Sequence, residues 1–68
     1  MDLTYPPAAL EILAEHNGVR VDQLPREAFT ASNPYMLDWL TRLGERKAAG
    51  LPTRHESGRW LRPEEIHD

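Results

Sequence analysis

Residues 33 to 50 place the tightest constraint on what this chain can become, because Asn33-Pro34 opens the stretch and Gly50 closes it. An asparagine side chain can accept a hydrogen bond from a first-turn N–H. Proline at the first helical position brings a suitable φ and lacks only an N–H that would have no intrahelical partner. Glycine beyond the last turn adopts the left-handed conformation that releases the chain. The spacing therefore predicts a helix from Pro34 to Ala49, about 24 Å long. Met36, Leu37, Trp39, Leu40 and Leu43 are its apolar positions, with Tyr35 beside them. Leu40 and Leu43 are expected to face inward while Arg42 and Arg46 face out. Gly44 interrupts the helix at a cost of about 1 kcal/mol relative to alanine, which a second backbone passing close by would explain.

Upstream, Thr4 and Pro6-Pro7 can cap and open a first helix running to about His16. Ala9, Leu10, Ile12 and Leu13 form its apolar stripe, and Asn17-Gly18 ends it. Val19-Arg20-Val21 alternates and suits a short bridge or one brief strand. Asp22 can then cap a second helical segment through Phe29, with Leu24, Ala28 and Phe29 as its core contacts. After Gly50 the pattern changes. Leu51 to His55 and Arg59 to Arg62 flank Glu56-Ser57-Gly58, which reads as a β-hairpin with Gly58 at its tip. Pro63 ends the second strand, and Pro63-Glu64-Glu65-Ile66 makes a closing turn with Ile66 packed back.

The order helix, bridge, helix, longer helix, hairpin resembles a winged helix-turn-helix domain, and the stretch Met36 to Trp60 carries the likeness most strongly. Leu40 and Leu43 stand as the inward leucines of the recognition helix, followed by a Gly-Leu step into the wing. The fold class expected is thus a small, mostly α single domain over residues 1–68 with a C-terminal β-hairpin, winged helix-turn-helix-like. What the resemblance implies is double-stranded DNA read by the helix in the major groove, with the wing on adjacent phosphates. On this chain the DNA-binding residues would be Asn33, Tyr35, Arg42 and Arg46 from the helix, and Arg54, Arg59 and Arg62 around the wing.

Charge cuts both ways. The chain carries a net charge of −3 over 68 residues, whereas general nucleic-acid binders usually hold an excess of Lys and Arg. Yet between Arg42 and Arg62 six basic residues face only Glu45 and Glu56, while six acidic residues precede Thr41 against Arg20 and Arg26. One electropositive end on an acidic molecule suits DNA; the overall sign suits a protein partner. Both readings stay open: a regulatory or accessory DNA-binding protein, able to act as a homodimer, or a protein-binding inhibitor or assembly factor on the same scaffold.

Catalysis and cofactors are not expected. With no cysteine there is neither a disulfide framework nor thiolate chemistry. His16, His55 and His67 lack a metal-ligand spacing. Glu11 and Glu15 read as a solvated helix face rather than an acid–base pair, and nothing resembles a phosphate-cradling glycine loop. No apolar run is long enough to span a bilayer and no signal segment is evident, so a cytoplasmic location and no membrane partner are expected. Trp39 and Trp60 read first as core anchors and second as binding contacts.

Overall fold

The computed structural model describes residues 3–66. Asp2, His67 and Asp68, which entered the charge and histidine readings, lie outside the described residues. Helix α1 spans Pro7–Asn17 and helix α2 spans Pro34–Ala48. Three single 3-10 turns complete the regular structure, at Val21–Gln23, Arg26–Phe29 and Pro63–Glu65.

The boundaries follow from local chemistry. Asn33 Oδ1 accepts from the Met36 N–H at 2.8 Å, and Pro34 holds the first helical position. At the other end of α2, the Leu51 N–H bonds the Arg46 carbonyl and the Gly50 N–H bonds that of Lys47, with Gly50 at φ 76°. The same paired closure ends α1, where Gly18 and Val19 donate to Glu15 and Ala14.

The core lies where α1 and α2 cross. Ile12 and Leu43 are wholly buried, joined by Tyr5, Ala9, Ala31, Leu40 and Ile66. Gly44 is buried against α1, and a Cβ built there would fall onto the Ala8 carbonyl and within 2.8 Å of the Ala8 Cβ. The second backbone expected from the sequence is therefore the first turn of α1.

Two features between the helices differ from expectation. The segment from Asp22 to Phe29 is not one helix, since Leu24 is extended (φ −71°, ψ 139°) between two 3-10 turns. The ring of Pro25 disfavours helical geometry in the residue before it. Leu24 is still buried. Val19 to Val21 forms no strand; instead Thr4 and Thr30 make one antiparallel bridge, with Tyr5 N–H to Phe29 O and Ala31 N–H to Leu3 O, both 2.8 Å. That bridge ties the segment before α1 to the segment before α2.

The wing is absent. Among the described residues there are no strands, so the expected hairpin, and with it the winged helix-turn-helix fold class, is corrected to two helices joined by 3-10 turns and irregular chain. The chain does reverse at Ser57-Gly58, but it leaves only a single bridge between Arg54 and Trp60. Its bonds run from His55 N–H to Arg59 O and from Leu61 N–H to Thr53 O. The ladder cannot extend because its neighbours are already committed. The Leu51 N–H caps α2, Pro52 has no N–H and its carbonyl accepts from Arg46 Nε, and the Arg62 N–H bonds Glu65. A two-stranded ribbon this short has little stability alone.

Candidate binding cleft

Side chains in place of strand pairing hold residues 51–66 to the helices. The Trp39 indole N–H donates to the Leu61 carbonyl at 2.7 Å, and Ile66 is buried in the core. The Trp60 indole N–H donates to His16 Nδ1 at 3.2 Å, while the Arg54 guanidinium lies 3.9 Å above the Trp60 ring. Trp60 is thereby fixed at the edge of the helix pair, by an acceptor on α1 and a cation over its face.

Below it is an apolar cleft of about 120 Å³. Ile12, Leu13 and His16 line it from α1, Met36, Trp39 and Leu40 from α2, and Trp60 from the C-terminal segment. The helix geometry makes this wall: 12 and 16 lie one turn apart on α1, and 36, 39 and 40 share a face of α2. Tyr35, 67% exposed, stands one turn before Trp39 on α2.

Several charged groups of the two helices and the C-terminal segment are paired. Arg42 meets Asp38 at 3.1 Å, Glu15 takes Lys47 at 3.7 Å and Arg54 at 3.8 Å, and Arg59 meets Glu65 at 2.7 Å. The Arg59 bonds, reinforced by the Arg62 N–H, hold the Glu65 carboxyl down at about 2, and Glu65 in turn raises Arg59. Burial pushes the Tyr5 phenol up.

The residues proposed from the sequence for DNA contact are consequently dispersed in role. Asn33 caps α2, Tyr35 is exposed, Arg42 pairs within α2, and Arg46 Nε bonds the Pro52 carbonyl. Arg54 covers Trp60 and donates to the Gly58 carbonyl; Arg59 is engaged by Glu65; Arg62 is exposed. DNA binding through a recognition helix and wing is overturned, because among the described residues no β-hairpin exists to serve as the wing. Four of the arginines are also spent on carboxylates or backbone carbonyls of this same chain.

Sequence reasoning weighed Trp39 and Trp60 mainly as core and treated His16 as a helix-end residue. Both tryptophans are half-buried walls. His16 and Trp60 are 44 positions apart, and only the tertiary fold joins them; the available signal was that each tryptophan sits beside residues of opposite polarity. No protein-family model, curated protein or solved structure matches this chain.

Proposed function

We propose that this chain is a protein-binding module whose cleft accepts one large apolar side chain from a linear segment of a partner protein. The observation that carries the reading is the apolar lining between Trp39 and Trp60 at a volume of about 120 Å³. Pockets for cofactors and other small ligands commonly run about 300–1,000 Å³. This cleft is too small for those and suits a single anchor. Tryptophan and tyrosine concentrate binding energy at protein interfaces because they desolvate large areas at little entropic cost, and the exposed Tyr35 stands one helical turn from Trp39.

On this reading the chain acts by binding and not by catalysis, its carboxylates serving as surface ion-pair partners. A chain without cysteine suits the reducing cytoplasm, where the reading places it. No helix among the described residues is long and apolar enough to cross a membrane.

Selection from a random linear-peptide display library against the purified protein tests the proposal. The selected peptides should share one apolar position, shift the amide resonances of Met36, Trp39 and Trp60, and lose about tenfold or more in affinity against Tyr35→Ala. Peptides that bind elsewhere on the surface, or a selection with no enrichment, would sink it. Self-association in sedimentation that blocks the cleft would make a second copy of the chain the occupant.

A further inference from the structure

The Trp60–His16 contact has a property that none of the other contacts at the cleft shares. Indole N–H is a donor only, so His16 Nδ1 must be a lone pair for the 3.2 Å bond to exist. A neutral imidazole with its proton on Nε2 meets that requirement. A protonated imidazole carries N–H on both ring nitrogens, so turning the ring over does not restore the acceptor.

We infer that the His16–Trp60 hydrogen bond is a pH-sensitive latch that holds Trp60 in place as the outer wall of the cleft, closed when His16 is neutral and released when it is protonated. The consequence for ligands rests on the binding reading above; the latch itself does not. The two rings are 6.5 Å apart and tilted by 51°, so they do not stack and the hydrogen bond is their directional link.

The charged groups nearest the latch come from three elements. Arg54, from the C-terminal segment, already sits over the Trp60 ring, and Lys47 approaches from α2; both are shared by Glu15, next to His16 on α1. The residues that α2 contributes to the cleft, Met36, Trp39 and Leu40, are uncharged. His55, beside the bridge, accepts from the Ser57 N–H through its own Nδ1 and is the other histidine among the described residues to be controlled for.

The experiment follows the Trp60 indole N–H resonance in the free protein from about pH 8 to 5, the interval over which histidines change charge. The wild type should show one upfield transition, His55→Gln should keep it, and His16→Gln should abolish it, because glutamine does not titrate. His16 is exposed, so the variant retains its fold, which far-UV circular dichroism verifies. A flat wild-type titration overturns the latch, as does a transition that survives in His16→Gln. A display-selected peptide should then bind the wild type about three- to tenfold more weakly at pH 5 than at pH 8, the weight of roughly one net hydrogen bond, with no such change in His16→Gln. Equal affinity at both pH values overturns the gating. Failure to select any peptide counts against the binding reading and leaves the indole titration to decide the latch.

Discussion

The helix pair and the C-terminal segment are held by different physics. Between α1 and α2 the contact is one of area and shape: Ile12 and Leu43 are wholly buried, and Gly44 admits the Ala8 backbone. Such packing is non-directional and nearly indifferent to pH and salt. Residues 51–66 instead rest largely on point contacts, from Trp39 to Leu61, Trp60 to His16, Arg46 to Pro52 and Arg54 to Glu15, with Ile66 buried and Trp60 and Leu61 half-buried against the core. Each point contact contributes little and can be removed singly. The cleft runs along the seam between these regions, with a rigid wall on one side and a releasable one on the other.

The largest effect is expected inside the helix pair. Leu43→Ala should cost about 2 to 5 kcal/mol in chemical denaturation, a large share of the total for a domain of this size. A loss under about 0.5 kcal/mol would mean that the helix contact is not the core. Gly44→Ala comes next, with a cost of about 1 to 3 kcal/mol even though alanine is the better helix former. The new methyl meets a backbone carbonyl, which cannot swing aside as a flexible side chain would. A stabilised Gly44→Ala protein would show that the helices have room to spare.

Trp39→Phe should separate the regions. It removes the donor to the Leu61 carbonyl while keeping an aromatic ring, at about 0.5 to 1.5 kcal/mol. Proteolysis should become faster within residues 51–66, and within α1 only by the loss in global stability. Equal acceleration in both would contradict separate anchoring.

The smallest effect is electrostatic. The Glu65 carboxyl is held at about 2 against an ordinary value of 4.5, first by its hydrogen bonds from Arg59 and then by the Arg62 N–H. A carboxyl depressed in the folded state contributes stability that is complete above its unfolded value and disappears as pH falls from 4.5 toward 2. A carbon-detected carboxyl titration should place Glu65 below the other glutamates, and Arg59→Gln should raise it. Because the pair is exposed, the effect on stability should be slight.

What residue order revealed was whatever depends on near neighbours. Asn33-Pro34 and Gly18 each express a local backbone requirement and stand in the fold as it dictates, whereas Gly44 signalled a close approach without identifying the Ala8 backbone that makes it. Leu40 and Leu43 face inward for the same reason, since α2 has one dominant apolar stripe. The hairpin failed because its ends had competing local uses: capping α2 through Leu51 and starting a 3-10 turn through Arg62. The Thr4–Thr30 bridge and the His16–Trp60 bond join residues far apart in the chain, and periodicity carries no information about such pairs. Charge placement meets the same limit: the order of basic residues does not reveal that Glu15 pairs with Arg54, or Glu65 with Arg59.

Native-state hydrogen exchange tests the two-region account most directly, because it measures the opening free energy of each amide separately. The Leu61 and His55 amides, bonded to Thr53 and Arg59 across the C-terminal reversal, should exchange through an opening that leaves the Leu40 and Leu43 amides of α2 protected. Their opening energies should lie clearly below the global value, and Trp39→Phe should lower them further while that of Leu43 falls only by the loss in global stability. A single shared opening energy for all four amides would mean that the C-terminal segment is as much core as the helices, and would contradict a cleft with one releasable wall.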